Sequence, residues 1–218
     1  MTPAKRLMDI LVALILMALL ALPFGLLVLW LLLREGRPIF YISERMRAPN
    51  RGFWLWKLRT MAPVVVQSGA AQSGAVPSGV SGGVSGGDKA SRITRTGRFL
   101  RKTRTDEMPQ LWNILKGDMS FVGPRPPLRL YVQRFPDLYA QVLQNRPGIT
   151  GLASLTYHRH EEKLLAACRT PEETDAVYCR RCVPQKARLD LIYQQHRNLC
   201  LDLVLMVRTF ARALGIGR

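Results

Sequence analysis

An uncharged run of 24 residues near the N-terminus, ILVALILMALLALPFGLLVLWLLL from Ile10 to Leu33, decides the architecture of this chain. At about 1.5 Å per residue, a helix over this run is ~36 Å long, which is enough to cross a hydrocarbon core ~30 Å thick. A cleavable signal peptide has a shorter apolar core and a small-residue cleavage site, and the run has neither. The sequence therefore predicts a membrane segment here.

Two topologies fit this segment. Pro23, with Gly25 close by, removes a helical hydrogen bond and clashes with the preceding turn. Basic residues flank both ends, whereas the positive-inside rule normally marks one end. A helix–break–helix hairpin that enters one leaflet and returns satisfies both observations, and a kinked single-pass helix satisfies the first. The flanking basic residues are Lys5, Arg6, Arg34 and Arg37.

The composition predicts a polyanionic partner. The 218 residues include 32 Lys+Arg against 15 Asp+Glu, a net charge of +17, which suits nucleic acid, an acidic membrane surface or phosphate-bearing substrates. A hydrophobic content of 48% excludes wholesale disorder. The four cysteines all lie in the last third, which favours a reducing, cytoplasm-facing body. Cys179 and Cys182 have no second pair at metal spacing, so free thiols are favoured over structural zinc.

The body after the anchor is predicted to be mainly α with a short β-hairpin, an α+β fold. Pro38–Ile42 and Arg51–Arg59 have strand patterns, and Pro49–Gly52 between them is a turn signal. The aromatic residues Phe53, Trp54 and Trp56 form either an interfacial belt or part of the core. We divide the chain into a membrane anchor, residues 1–36, and a catalytic body, residues 37–218.

Further along, Leu111, Ile114 and Leu115 make a helical stripe that ends at Gly117. The run Leu201–Phe210 predicts an apolar C-terminal helix, which lies on the membrane or packs on the body. Between the hairpin and the first helix of the body, residues 64–88 are Ser/Gly/Val-rich and predict a flexible loop. A glycine-rich phosphate cradle is disfavoured there, because the Gly-Lys-Ser/Thr ending is missing.

Arginines recur every three residues after this loop, at Arg92, Arg95, Arg98, Arg101 and Arg104. They form either a solvated basic face, which could lie on anionic headgroups, or a phosphate clamp, since guanidinium groups match phosphate oxygens in a bidentate way. A second cation, Arg125, stands between Pro124 and Pro126, and Arg146 precedes Pro147. Rigid neighbours pre-organise such a cation for anion binding.

Asp106 and Glu107 directly follow the arginines, and two interpretations fit them. Asp106 is the N-cap of a helix whose acidic first turn is favoured by the helix dipole, with Pro109 at N3. Alternatively, the arginines and the helix N-terminus hold Asp106 ionised at neutral pH, which makes it a competent nucleophile.

One set of motifs runs along the whole chain in a characteristic order. It comprises Lys57–Met61, Arg92–Lys102, Asp106–Asn113, Lys116–Ser120, Val122–Pro126, Arg146–Gly151 and the C-terminal pattern of Pro184, Lys186, Leu189, Asp190, Tyr193 and Asp202. This set resembles the bacterial sugar transferases, and more specifically the monotopic polyprenyl-phosphate phosphoglycosyl transferases. The chain departs from the family's usual pattern at the Ser/Gly/Val loop, at Leu22 before Pro23, and at Arg104-Thr105.

The resemblance implies transfer of a sugar-1-phosphate from a nucleotide sugar, usually a UDP-sugar, to undecaprenyl phosphate. It implies a site on the cytoplasmic face of the bacterial inner membrane and a place at the first membrane step of exopolysaccharide or glycoconjugate assembly. It also implies a re-entrant N-terminal hairpin, amphipathic interfacial helices, and ping-pong chemistry through a covalent aspartyl phosphosugar with Mg²⁺. A homodimer is kept as a candidate assembly, and no nucleic-acid partner is expected.

Carried onto this sequence, the resemblance makes Asp106 the nucleophile and Glu107 its partner, and both are candidate Mg²⁺ ligands. It assigns phosphate binding to a set of basic residues, namely Lys57, Arg59, Arg101, Arg125 and Arg146. The alternative function is a non-catalytic, membrane-tethered basic module that binds anionic lipid or nucleic acid. The acidic pair discriminates between the two, because a polyanion binder gains nothing from carboxylates among its arginines.

Overall fold

A computed structural model describes residues 1–62, 92–213 and 215; the predicted loop, residues 64–88, lies outside this range. The described residues are mainly helical, with two small sheets. The helices are α1 (Pro3–Glu35), α2 (Arg95–Thr103), α3 (Gln110–Lys116), α4 (Arg129–Arg134), α5 (Pro136–Val142), α6 (Leu152–Thr156), α7 (His158–Ala166), α8 (Pro171–Val177), α9 (Val183–His196) and α10 (Leu199–Ala213). The strands are β1 (Phe40–Ala48), β2 (Arg51–Leu58), β3 (Ser120–Val122) and β4 (Gly148–Thr150).

The apolar N-terminal segment forms one continuous helix, α1, with Pro23 inside it. The predicted interruption at Pro23 is therefore wrong at the level of secondary structure. A proline costs one hydrogen bond and bends a helix locally, while helical dihedral angles continue on both sides. Among the described residues, α1 is the helix long and apolar enough, by length and composition, to cross a membrane.

Both ends of α1 contact the body. Near its start, Arg6 Nη1 donates to the Ile114 carbonyl at 2.7 Å, and Lys5 Nζ lies 2.6 Å from a carboxylate oxygen of the buried Asp202. At its end, the Glu35 carboxylate accepts a hydrogen bond from the Thr94 hydroxyl at 3.1 Å. Between these contacts the helix exposes large apolar side chains, including Leu14, Ile15, Met17, Leu19, Leu22 and Leu26.

The predicted hairpin is confirmed. Strands β1 and β2 pair antiparallel, with Tyr41 opposite Lys57, and the chain turns at Pro49-Asn50. Side chains alternate along β2, so that Phe53 is buried while Trp54 is more than half exposed. The aromatic residues therefore do not share one environment: Phe53 belongs to the core, and Trp54 lies at the surface.

A second sheet, which the sequence analysis did not predict, joins β3 to β4 in parallel. Strand β3 connects the Lys116–Ser120 motif to the Val122–Pro126 motif, and β4 lies within Arg146–Gly151. Glycines allow the two backbones to approach. A Cβ atom on Gly123 would lie 2.1 Å from the Arg146 carbonyl oxygen, and one on Gly148 would lie 2.2 Å from the Gly123 nitrogen. This contact fixes the loop that carries Arg125.

The C-terminal helix packs on the body, which is one of the two arrangements the sequence left open. Leu205 of α10 is buried in a core cluster with Ala13 of α1, Ile114 of α3 and Tyr193 of α9. The opposite side of α10 exposes Leu203, Val204, Val207 and Phe210. The helix therefore packs on the body and keeps an apolar face outward.

Candidate active site

The acidic pair lies in a short 3₁₀ helix, Thr105–Glu107, between α2 and α3. Asp106 is not the N-cap of α3, as one interpretation predicted; α3 begins at Gln110, and Pro109 occupies the N-cap position. Because Pro109 has no N–H group, the α-helical ladder cannot run through it, and the segment closes with tighter bonds such as Met108 N–H to the Thr105 carbonyl at 3.2 Å. The acidic pair is thereby held on a rigid turn.

Glu107 is buried and surrounded by cations. Arg104 Nη1 lies 3.1 Å from each of its carboxylate oxygens, and Lys57 Nζ lies 3.3 Å from Oε1. Arg125 Nη1 is 4.0 Å from Oε1. Burial alone would raise the pKa of Glu107, but these three cations hold it below its ordinary value. Glu107 is therefore the counter-ion around which the cations gather.

Asp106 has a different environment. Its carboxylate is buried, and it makes no hydrogen bond or ion pair within the residues that the structure describes. Burial, together with the charge of Glu107, raises the pKa of Asp106 above its ordinary value, against the influence of Lys57, Arg101 and Arg104. The nearby arginines lower this pKa, as the sequence analysis assumed, but desolvation and the charge of Glu107 outweigh them.

Two elements bring the cations to the acidic pair. Lys57 projects from β2, where burial lowers the pKa of its ammonium group. Helix α2 lies so close to Thr60 that a Cβ atom on Gly97 would fall 2.0 Å from the Thr60 carbonyl oxygen. This approach lets Arg101 Nε donate to the Thr60 hydroxyl at 2.9 Å. Helix α2 then ends at Arg104, whose left-handed conformation, φ 60°, turns the chain into the acidic pair.

Arg125 stands on a rigid turn between two prolines. Pro124 and Pro126 on either side of it are buried, whereas Arg125 itself is exposed. Proline rings packed into the body fix the backbone at Arg125, so the side chain starts from a defined position beside Glu107.

Two predicted phosphate-binding residues are not brought to the acidic pair. Arg59 Nη2 donates to the Glu35 and Gly36 carbonyls, at 2.9 and 3.3 Å, and so satisfies the C-terminal end of α1. Arg146 lies beside Gly117, where burial and the charges of Arg47 and Arg6 lower its pKa. Their role in phosphate binding stays a prediction.

Sequence reasoning missed one residue that the structure places in the site. Arg104 was noted as a departure from the family's pattern, yet it is the cation nearest to Glu107. Its three-residue spacing from Glu107 was the available signal, since residues three apart in helical turns can face each other.

The acidic pair also fits a divalent cation. Mg²⁺ is typically held by one or two carboxylates together with substrate phosphates, and two adjacent carboxylates meet that requirement. Both oxygens of Glu107 already accept from Arg104, so Asp106 is the carboxylate with open positions. Among the described residues there is no cluster of three or more His, Cys, Asp or Glu that could hold a metal by itself.

Comparison with known proteins shows a family match over nearly the whole chain. The profile of the bacterial sugar transferase family matches residues 1–215. The chain is 37% identical over 161 residues to the UDP-N-acetylgalactosamine-undecaprenyl-phosphate N-acetylgalactosaminephosphotransferase of Aeromonas hydrophila, which covers 70% of this chain and 34% of that protein. It is 34% identical over 214 residues to the UDP-glucose:undecaprenyl-phosphate glucose-1-phosphate transferase of Caulobacter vibrioides, covering 94% of this chain and 67% of that protein.

A third relative is the UDP-galactose-lipid carrier transferase of Erwinia amylovora, 34% identical over 153 residues, which are 68% of this chain and 31% of that protein. The chain thus spans about a third of the length of the Aeromonas and Erwinia relatives and about two thirds of the Caulobacter relative. The match to the family profile nevertheless runs through the anchor, the hairpin, the acidic pair and α10. The chain therefore belongs to the bacterial sugar transferase family.

Proposed function

We propose that this protein transfers a sugar-1-phosphate from a UDP-sugar to undecaprenyl phosphate through a covalent intermediate on Asp106. The observation that carries the proposal is the buried Asp106–Glu107 pair among Lys57, Arg104 and Arg125. Phosphoryl transfer depends on positioning and on cations that stabilise the developing charge, and this arrangement provides both. The relatives' names give different sugars, so the proposal extends to the UDP-sugar class only.

In the first half-reaction, a carboxylate oxygen of Asp106 attacks the phosphorus that carries the sugar, and UMP leaves. In the second, an oxygen of the lipid phosphate attacks the same phosphorus and Asp106 is released. The absence of a hydrogen bond to Asp106 within the described residues supports its role, because an unengaged carboxylate keeps its lone pairs for attack. Glu107 holds Lys57 and Arg104 in position toward the phosphates.

Mg²⁺ belongs to this proposal as a cofactor held by Asp106 and the donor's phosphates, with Glu107 as a second candidate ligand. When bound, it would neutralise charge on the diphosphate.

The lipid acceptor requires a site at the membrane surface. The exposed apolar side chains of α1 and α10 support such a location, as do Trp54, Phe99 and Trp112 around the body. We place the body on the cytoplasmic face of the bacterial inner membrane, where the protein would act at the first membrane step of exopolysaccharide or glycoconjugate assembly.

We further propose that α1 is re-entrant, despite its continuous secondary structure. Ala13 shares a core cluster with Leu55, and Leu31 shares one with Leu58. Near its start, α1 is also joined to the body by Arg6, which donates to the Ile114 carbonyl, and at its end by Glu35, which accepts from the Thr94 hydroxyl. A helix bent near Pro23, with both ends on one side of the membrane, accounts for these contacts.

Trapping the intermediate tests the proposal. Incubation with a panel of UDP-sugars labelled in the sugar, without lipid acceptor, is expected to leave label on the wild-type protein that hydroxylamine releases, as it does from acyl phosphates. Asp106→Asn is expected to carry no label and to transfer none, because the charged nucleophile is gone. Asp137→Asn, an exposed acid in α5, is the control and should label like the wild type.

Two results would contradict the mechanism: a wild type that transfers sugar phosphate without ever carrying label, or an Asp106→Asn variant that still turns over. Either would require direct transfer between donor and lipid. A wild type that releases no UMP from any UDP-sugar, yet binds anionic vesicles, would favour the basic, non-catalytic membrane module.

A further inference from the structure

Arg45 of β1 is half-buried, and its guanidinium group has almost no partners. Its Nη1 donates one long hydrogen bond, 3.4 Å, to the Pro126 carbonyl. Its Nε is buried without a hydrogen-bond partner, and no carboxylate lies within ion-pair distance of Arg45 in the part of the chain that the structure describes. A buried charge without a counter-charge is costly, so this side chain points to an anionic ligand.

The guanidinium lines a cavity of about 40 Å³ beneath Pro126–Leu128. Arg125, Lys186 and Asp190 line the same cavity. Lys186 Nζ lies 3.0 Å from the Glu161 carboxylate. Even when Asp190 and Glu161 are both ionised, the three cations Arg45, Arg125 and Lys186 leave a surplus of one positive charge. At 10–15 Å³ per water, the cavity has room for roughly three waters, which suits a phosphate-sized group rather than a nucleoside.

Arg125 connects this cavity to the acidic pair. It lines the cavity, and its Nη1 also lies 4.0 Å from Glu107 Oε1. Burial and the neighbouring charge of Arg125 lower the pKa of Arg45 to about 10, so Arg45 remains a cation at neutral pH. The cavity is therefore a second cationic position that Arg125 joins to the acidic pair.

We propose that this cavity holds the leaving phosphate of the nucleotide-sugar donor, with Arg45 as its counter-charge. This assignment rests on the proposed function. As a bond forms between Asp106 Oδ and the phosphorus that carries the sugar, the bond from that phosphorus to the bridging oxygen breaks. The bridging oxygen keeps the electron pair and leaves as part of UMP, without a proton. Negative charge grows on that phosphate, where Arg45 and Arg125 stabilise it.

The test compares binding of UMP and uridine to the full chain in nanodiscs by titration calorimetry, with Mg²⁺ in every sample. The wild type is expected to bind UMP more tightly than uridine. Arg45→Gln should weaken UMP binding by about 10- to 100-fold, the usual range for losing a charge-assisted hydrogen-bond pair, and leave uridine binding unchanged. Arg51→Gln, an exposed arginine of the same hairpin, should match the wild type in both.

Three results would overturn the subsite: a wild type that binds uridine as tightly as UMP, an Arg45→Gln variant with wild-type UMP affinity, or equal losses in Arg45→Gln and Arg51→Gln. If Arg45→Gln does not fold, Arg45→Lys carries the test. It keeps the charge but loses the bidentate geometry, so UMP should bind more weakly than to the wild type, and unchanged affinity overturns the role of the guanidinium.

Transfer is assayed on the same preparations. A wild type that transfers sugar phosphate while Arg45→Gln keeps its UMP affinity overturns the subsite alone. A wild type that transfers nothing overturns the proposed function and this assignment with it.

Discussion

Asp106 and Glu107 are adjacent in the chain, yet their surroundings drive their pKa values in opposite directions. Cations from three separate elements converge on Glu107 and stabilise its charged form. Asp106 is desolvated and sits next to that charge, so its protonated form is favoured. When the pKa values of two neighbouring carboxylates are shifted in opposite directions, the two groups take different roles in the reaction. Glu107 organises the cations, and Asp106 is left with an unengaged carboxylate.

This division predicts the pH dependence of the reaction. Asp106 attacks only when ionised, so activity is lost as the pH falls through its pKa. The negative charge of Glu107 raises that pKa. Glu107→Gln removes the charge, and we expect the acidic limb of kcat/KM to move to lower pH, although the variant is slower overall.

The measurement is kcat/KM across acidic and neutral pH for wild type and variant. Glu44→Gln is the control, because Glu44 of β1 pairs with the exposed Arg129 of α4, and its loss should leave the acidic limb unchanged. If the acidic limb of the kcat/KM profile stays in place or moves to higher pH in Glu107→Gln, Asp106 is not the group whose titration produces it.

Among the elements, α2 sets the distance between the arginines and the acidic pair. Its close approach to Thr60 depends on Gly97. Gly97→Ala places a Cβ atom 2.0 Å from a backbone oxygen, so the helix must shift and Arg101 must leave the Thr60 hydroxyl. We expect a loss of ~1–3 kcal/mol in stability, as for other overpacked sites, and a fall in kcat from the misplaced cation.

Gly25→Ala is the matched substitution, because a Cβ atom there meets nothing within 4 Å. It should leave activity unchanged, and alanine is the better helix former by ~1 kcal/mol. Thermal unfolding and transfer rates of both variants provide the comparison. If Gly97→Ala unfolds at the wild-type temperature and turns over normally, the close contact does not position α2.

The elements that the sequence predicted are those whose signals are local. The hairpin follows from alternation and a turn, and α3 ends at Gly117 because glycine adopts a φ of 83° without a Cβ penalty. The pairing of β3 with β4 joins residues about 28 positions apart, from Ser120 to Gly148, and no local pattern encodes it. The proximity of Arg45 to Arg125 is equally non-local, so this cavity could not be predicted either.

The family motifs by themselves identify the acidic pair and three of its surrounding cations, Lys57, Arg101 and Arg125. The direction of the Asp106 pKa could not be predicted, because it depends on how deeply the fold buries the carboxylate. The same limit applies to Arg59, since only the folded chain brings its guanidinium to the carbonyls at the end of α1.

At the scale of the whole molecule, the anchor and the body share their cores. Ala13 and Leu31 of α1 are both buried against the body, and Lys5 is paired with the buried Asp202. The anchor thus packs directly on the body that it attaches to the membrane. A net charge of +17 would further draw such a body toward anionic lipid.

These contacts predict the membrane topology. Since both ends of α1 contact one body, single cysteines at Thr2→Cys and Arg37→Cys are expected to react with a membrane-impermeant maleimide from the same, cytoplasmic side. Leu22→Cys, near the proposed bend, should resist labelling until detergent is added. The background lacks the four natural cysteines, Cys168, Cys179, Cys182 and Cys200, and must retain transfer activity.

Intact and inside-out vesicles assign the side of each label. Pro23→Leu serves as the matched variant, because it restores the missing hydrogen bond and removes the ring clash, so a straight span becomes more favourable. We expect a fraction of Pro23→Leu molecules to label at Thr2→Cys from the opposite side and to lose activity, since Lys5 can then no longer reach Asp202. If wild-type Thr2→Cys and Arg37→Cys label from opposite sides, α1 is a transmembrane helix, and the contacts at one of its ends do not form in the membrane.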